Sequence, residues 1–143
     1  MDELYQRWPV TFPFQARGVR QGKMFHQTCV EWLKSENLTI VAENFKFPNI
    51  GVEVDIVFKD GEEVYYAECK GSYTGNRPGI RRTDTLKKAI CNAALLRTQE
   101  KCNFILLTSH MPKEGSSSEK MLETAESAGI ITRTINVHDN GGW

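Results

Sequence analysis

The chain has 143 residues, of which 40% are hydrophobic and 25% are charged, and this size and composition are typical of one globular domain. Its 18 basic residues balance its 18 acidic residues, so any attraction to a polyanion must come from local clustering of charge. The first residues contain no apolar signal segment, and no stretch approaches the roughly 20 apolar residues that a membrane span needs. We therefore expect a cytoplasmic protein with no membrane contact.

The four cysteines, at positions 29, 69, 91 and 102, are far apart in the sequence. They never form the CxxC pairs that structural zinc sites and redox sites usually show. We interpret them as reduced thiols of the core. An iron–sulfur cluster would need clustered cysteines, so such a site is not favoured.

The N-terminal residues are rich in aromatics and prolines, which favours an extended arm over residues 1–19, ahead of a single domain over residues 20–143. From about Arg20 to Glu36, apolar side chains such as Phe25, Cys29 and Leu33 recur at helical spacing. The sequence therefore predicts an amphipathic first helix. Residues 38–47 follow as a strand.

A β-hairpin is the strongest local prediction. Residues 52–58 alternate between apolar and polar side chains, Asp60-Gly61 is a turn signal, and residues 64–70 form the return strand. If the hairpin closes without a bulge and Phe58 pairs with Glu63, then Glu53 lies directly opposite Glu68 and Asp55 lies diagonal to it.

The second half of the chain predicts a loop over residues 71–82, a helix from Thr83 or Asp84 to about residue 99, and a strand over residues 103–109. Ser116 and Glu119 have capping-box spacing ahead of a third helix that ends near residue 129, and residues 130–137 form a last strand. The order α-β-β-β-α-β-α-β implies an α/β fold, with a mixed central sheet and flanking helices on both faces.

Three carboxylates and a lysine carry the most specific chemical signal. Side chains two residues apart on a strand share a face, so Glu53 with Asp55, and Glu68 with Lys70, are expected to crowd one end of one sheet face. Like charges across a ladder are destabilising, which suggests that a divalent cation completes the site. For a lone acidic pair a solvated, charged hairpin face would be the better interpretation, but the Glu-x-Lys spacing on the partner strand weakens that alternative.

At these residues the chain resembles the PD-(D/E)xK, or restriction-endonuclease-like, nuclease superfamily, and within it the small Holliday-junction-resolvase-type nucleases. Val54-Asp55 matches the "PD" position, with valine replacing the proline, and Glu68-Cys69-Lys70 matches "ExK". The resemblance implies a restriction-endonuclease-like core and a DNA endonuclease, a hydrolase of phosphodiester bonds that depends on Mg²⁺, with Mn²⁺ as a possible substitute. Asp55, Glu68 and Lys70 would be catalytic, and Asp55, Glu68, Glu53 and the Cys69 carbonyl would bind the metal.

His26 stands where similar proteins carry an acidic residue on the first helix. On a helical wheel His26 lies at the edge of the inward face, whereas Glu31 faces away. A catalytic role for His26 and the role of a hydrogen-bonded, buried histidine are equally compatible with this position.

Basic residues cluster near the Glu-x-Lys strand end and ahead of the first helix, and such a patch would bind DNA phosphates. For Arg17 and Arg20 a merely solvated surface is a fair alternative. The expected DNA-binding residues are Lys23, Arg77, Arg81, Arg82, Lys87 and Lys88.

Two functions remain open at this stage. A DNA endonuclease would be expected to act as a homodimer, because one such centre cuts one strand. Its small size favours structure-selective cutting, cutting at a short site, or a partner subunit for specificity. The alternative is a catalytically impaired nucleic-acid-binding or interaction module with the nuclease fold, an interpretation that the His26 substitution supports. Metal binding distinguishes them.

Overall fold

The computed structural model describes residues 14–71, 78–99, 102–139 and 141–143. Its first helix, α1 (Phe14–Ser35), begins six residues before the predicted start at Arg20. Residues 14–19, which we assigned to the arm, are therefore helical, and the rest of the arm lies outside the described residues. The sequence permits this earlier start, because a proline interferes with helix on its N-terminal side and no proline follows Pro13 until Pro48.

The described strands form a five-stranded sheet in the order β1-β2-β3-β4-β5. The first three strands form an antiparallel meander, whereas β4 is parallel to β3 and β5 is parallel to β4. The predicted mixed sheet and the predicted order of elements are confirmed. The strands are β1 (Thr39–Phe47), β2 (Val52–Asp60), β3 (Glu63–Lys70), β4 (Asn103–Thr108) and β5 (Arg133–Asn136).

Helices cover both faces of the sheet, as the crossovers require. Helix α1 packs Phe25, Cys29 and Leu33 into one core cluster, whereas α2 (Thr83–Leu96) and α3 (Ser117–Ser127) contribute to the other. None of the helices in the described part of the chain is long and apolar enough to cross a membrane.

The two crossover helices start differently. Ser116 caps α3 as predicted, since its hydroxyl accepts the Glu119 amide at 3.2 Å, and the Glu119 carboxylate accepts the Gly115 amide at 2.9 Å. The cap predicted for α2 at Thr83 or Asp84 is wrong. A 3-10 turn (Gly79–Arg81) leads directly into α2, so Arg82 occupies the capping position and makes no side-chain capping bond.

The hairpin between β2 and β3 is tighter than predicted. Asp60 pairs with Glu63 and Phe58 with Tyr65, so the loop has two residues and begins with Gly61 at a φ of 60°. The predicted pairing of Phe58 with Glu63 is wrong by two residues. A shift of two preserves the face of each side chain but changes its partner, so Glu53 is not opposite Glu68.

The alternation of β2 reverses at Asp55. Val52 and Val54 belong to the core cluster under α2 and α3, whereas Ile56 and Phe58 belong to the cluster under α1. On β1 the residue between the partners of Val54 and Ile56 is Asn44, which has a φ of 50°. The regular alternation predicted for residues 52–58, with Val54, Ile56 and Phe58 on one face, is therefore wrong, and Asp55 lies at the point of reversal.

Candidate active site

Asp55 bridges the end of the β2–β3 ladder. Paired residues of the two strands end with Ile56 opposite Ala67, and one step further the Asp55 carboxylate accepts the backbone amide of Cys69 at 2.7 Å. A side chain thus replaces a backbone acceptor at this position. The bond fixes one carboxylate oxygen of Asp55 against β3, next to the Glu-x-Lys segment.

Glu68 is a buried acid with a raised pKa. Its side chain is 3% exposed, and it lies on the sheet face covered by α2, because its aligned neighbour Leu106 belongs to that core cluster. Burial, and after it the charge of Asp55, raise the pKa of Glu68 from 4.5 to about 7, against the opposing effects of Lys70 and Asn92. Two neighbouring carboxylates with little access to solvent repel each other when both are ionised, so the site favours a bound cation.

Lys70 supplies a positive charge beside this pair. Its Nζ lies 3.7 Å from Oε2 of Glu68, and its side chain is 23% exposed. The lysine backbone is anchored as well, because the Thr108 hydroxyl donates to the Lys70 carbonyl at 2.8 Å. Lys70 is therefore held at the solvent side of the buried acid, on the sheet face that the Glu-x-Lys spacing predicted the two side chains to share.

Asn92 is a site residue that our sequence analysis missed. Its amide nitrogen donates to Oε1 of Glu68 at 3.1 Å from the middle of α2. A signal was present, since position 92 is three residues after Ala89 and four before Leu96, both of which are buried. A polar side chain on the inward face of a helix should have been read as the partner of a buried polar group. Asp55, Glu68, Lys70 and Asn92 are called the candidate site below.

Glu53 is not part of this cluster. It is exposed on β2 and pairs across the ladder with Lys46 of β1. Among the residues that the structure describes, no group of three or more His, Cys, Asp or Glu side chains is placed to hold a metal ion. The acids gathered at the strand end are Asp55 and Glu68, without the third carboxylate that the expected register would have supplied.

His26 contacts a different strand. Its Nε2 lies 2.8 Å from Oε1 of Glu43 on β1, with the histidine side chain 18% and the glutamate 45% exposed. Glu43 pairs with Ile56, the neighbour of Asp55, so the His26–Glu43 hydrogen bond lies on the α1 side of the sheet close to the reversal. The hydrogen-bond partner of His26 is thus a carboxylate of β1, which the position of His26 on a helical wheel could not reveal.

Cys69 links the two faces of the sheet. Its amide donates to Asp55, and its thiol lies against the Cys29 thiol of α1, where burial raises the pKa of Cys69 far above its ordinary value. All four cysteines are free. The interpretation of the cysteines as core thiols is right for Cys29, which is buried. It is wrong for Cys91, which is exposed on α2.

The expected DNA-binding residues divide into three groups. Arg77 lies outside the described residues. Arg81 is half-buried and its Nε donates to the Met111 carbonyl at 3.1 Å, whereas the other four are exposed and surround no common centre in the described contacts. Those four are Lys23 on α1, Arg82 at the start of α2, and Lys87 and Lys88 on its first turns.

Comparison of the chain with models of known protein families, with curated proteins and with solved structures found no match.

Proposed function

We propose that the protein is a magnesium-dependent DNA endonuclease with a restriction-endonuclease-like core, a member of the PD-(D/E)xK superfamily. One observation carries the proposal. At the place where β2 and β3 separate, Asp55 is bonded to the amide of Cys69, next to the buried Glu68 and its neighbour Lys70. A buried acid beside a second acid, with one lysine for the two, is costly, so a function explains this pair better than stability does.

The donor set fits magnesium. Mg²⁺ binds through one or two carboxylates and keeps several positions for water and phosphate oxygens, which matches two acids at the edge of a sheet. Asp55 and Glu68 would hold the ion, and the Cys69 carbonyl, on the same edge of β3 as the amide bonded to Asp55, would add a neutral oxygen. When bound, Mg²⁺, or Mn²⁺ in its place, would offset negative charge on the phosphodiester.

The residues of the chain have separate roles in this proposal. Lys70 orients or deprotonates the attacking water, or pairs with the phosphate, from its place 3.7 Å from Glu68. Asn92 is a positioning residue, since its bond to Glu68 favours the ionised carboxylate that a cation needs. Glu53 and His26 would lie outside the catalytic centre, because Glu53 is exposed and the His26 ring is engaged by Glu43.

The wider proposal concerns partners and place. A single centre cuts one strand, so a homodimer would cut a duplex, and a partner subunit would add the specificity for which a chain of 143 residues has little room. DNA would contact the exposed residues Lys23, Arg82, Lys87 and Lys88 together with Arg77 and Arg81. A cytoplasmic location agrees with such a substrate.

Cleavage of supercoiled plasmid tests the proposal. We expect nicked and linear products in Mg²⁺ or Mn²⁺, none in EDTA, and none from Asp55→Asn or Lys70→Ala under any of these conditions. A parent protein that melts at the same temperature with and without Mg²⁺ and leaves plasmid, branched and single-stranded DNA intact would reject it.

The second candidate is a catalytically impaired nucleic-acid-binding or interaction module with the same fold. The His26–Glu43 hydrogen bond favours it, because the first helix then directs the His26 ring to β1 rather than to the two acids. This module would bind DNA equally well with and without Mg²⁺, whereas the endonuclease would bind the ion with its Asp55 and Glu68.

A further inference from the structure

Three parallel strands end side by side at the edge of the sheet that carries Lys70. Lys70 of β3 is aligned with Thr108 of β4, and Thr108 is aligned with Asn136 of β5. The space beyond the carboxyl ends of parallel strands is where α/β proteins commonly bind ligands. Two residues beyond the aligned positions, the segments that leave β4 and β5 each carry a histidine, His110 and His138.

Backbone bonds hold these two segments together. The Val137 amide donates to the Thr108 carbonyl at 3.1 Å, and the His110 amide donates to the Thr108 hydroxyl at 3.3 Å. The His110 ring is oriented in addition by a 2.8 Å contact between its Nδ1 and the Ser109 hydroxyl. On the other segment, the His138 amide donates to the Asn136 side chain at 3.0 Å and the His138 ring lies 6.1 Å from the ring of Phe25. His110 is half-buried and His138 is exposed.

The 3-10 turn brings an arginine to the same place. Gly79 has a φ of +58°, and a Cβ added there would lie 2.9 Å from the Thr108 hydroxyl and 3.1 Å from the amide nitrogen of His110. Only glycine permits this close approach. Two residues later, Arg81 donates from Nε to the carbonyl of Met111, which fixes its guanidinium beside the residue after His110.

The three groups interact electrostatically. Burial lowers the pKa of His110, and the charges of Arg81 and His138 lower it further. An anion between them would relieve this repulsion and would accept hydrogen bonds from imidazole and guanidinium N–H groups. Guanidinium groups match the oxygens of phosphate in geometry as well as in charge.

We propose that Arg81, His110 and His138 form an edge subsite that binds an internal phosphate of the DNA backbone, next to the phosphodiester held at Asp55 and Glu68. This inference rests on the proposed function, since it extends the same substrate along the edge that begins at Lys70. The edge subsite sets the path of the DNA strand over the carboxyl ends of β3, β4 and β5.

The test measures binding of a short labelled duplex with unphosphorylated ends, in Ca²⁺ and at several salt concentrations. We expect the double variant His110→Gln/His138→Gln to bind with a Kd roughly tenfold weaker and with a shallower dependence on salt, the size expected for one charged hydrogen bond. The parent and the variant should bind Mg²⁺ equally. The exposed single variant His138→Gln should weaken binding by about threefold, which gives a second measure if the double variant melts early.

Lys34→Gln is the matched control, because it removes an exposed positive charge from the last turn of α1. That end of α1 lies at the opposite edge of the sheet, where Glu36 accepts the Trp143 amide and the Trp143 indole donates to Asp60 at the hairpin turn. Its Kd and salt dependence should equal those of the parent.

Each result decides one question. Equal Kd values for parent, His138→Gln and double variant would overturn the edge subsite, and so would a loss confined to duplexes with a 5′-phosphate, which would indicate a terminal phosphate. Failure of the nuclease proposal is visible separately, since it would show as a parent protein that neither binds Mg²⁺ nor cuts DNA, whatever the histidine variants do.

Discussion

The amide of Asn92 donates to the carboxylate of Glu68 at 3.1 Å, from α2 to β3 across the core face of the sheet. This bond favours the charged form of an acid that burial and Asp55 would otherwise keep protonated. Asn92→Ala should therefore raise the pKa of Glu68 further and weaken Mg²⁺ binding tenfold or more, as loss of a charge-assisted bond does. The rise of the melting temperature with Mg²⁺ concentration measures this, and an unchanged midpoint would remove Asn92 from the candidate site. Asn103→Ala is the control, because Asn103 lies at the start of β4 and donates to Glu63 near the hairpin turn.

Glu68→Gln should stabilise the metal-free protein at high pH. The folded-state pKa of about 7 lies above the ordinary 4.5, so the stability linked to protonation is full below pH 4.5 and is lost as the pH rises through 7. Glutamine mimics the protonated acid at every pH. In EDTA the variant should match the parent at pH 4.5 and exceed it by up to about 3 kcal/mol at pH 8.5.

Denaturant unfolding at those two pH values gives the comparison for Glu68→Gln. Glu62→Gln is the control, because Glu62 is exposed at the hairpin turn. Its replacement should leave the free energy of unfolding unchanged at both pH values. A parent protein that is as stable as Glu68→Gln at pH 8.5 would show that Glu68 is not a strained, buried acid.

Arg82→Ala should weaken DNA binding and lower the salt dependence by roughly one phosphate contact. Arg82 is exposed and makes no capping bond, so its loss should not affect α2. Arg97→Ala is a matched control at the other end of the same helix, where Arg97 donates to the Ala128 carbonyl at 3.0 Å. If DNA binding by the Arg82 and Arg97 variants has the same dependence on salt concentration, the DNA does not pass over the start of α2.

We expect His26→Glu to make the stability of the protein depend more strongly on Mg²⁺. It would place a carboxylate against Glu43, which His26 now contacts at 2.8 Å, and like charges at that distance are destabilising. The variant should melt earlier than the parent in EDTA and gain more from Mg²⁺. Gln27→Glu adds the same charge at an exposed neighbouring position. An identical Mg²⁺ response in both variants would assign His26 a purely structural role.

Local signals in the sequence predicted most of the fold. The Asp60-Gly61 turn, the capping pair Ser116 and Glu119, and the alternation between strands and amphipathic helices are effects of nearest neighbours, so the order of elements and the mixed sheet followed from them. The Glu-x-Lys spacing likewise brought Glu68 and Lys70 together correctly.

Tertiary effects account for what the sequence did not reveal. The reversal of β2 at Asp55 depends on Asn44 of the neighbouring strand, which no period within β2 records. The Asn92–Glu68 bond joins residues 24 positions apart, and the His26–Glu43 pair joins residues 17 apart. The two-residue loop sets the register of the hairpin and so determines which acids are neighbours. The predicted register was wrong by two residues, and Glu53 therefore lies outside the site.

Metal-dependent cleavage by Lys70→Ala, compared with the parent, tests the central claim most directly. Lys59→Ala is the control, since Lys59 is a half-buried lysine of the same hairpin near the turn, away from Glu68. On supercoiled plasmid in Mg²⁺, the parent and Lys59→Ala should give nicked and linear DNA, whereas a folded Lys70→Ala should give neither. Cleavage by Lys70→Ala at the rate of the parent, or cleavage by the parent that persists in EDTA, would contradict the assignment of Asp55, Glu68 and Lys70 as a magnesium-dependent nuclease centre.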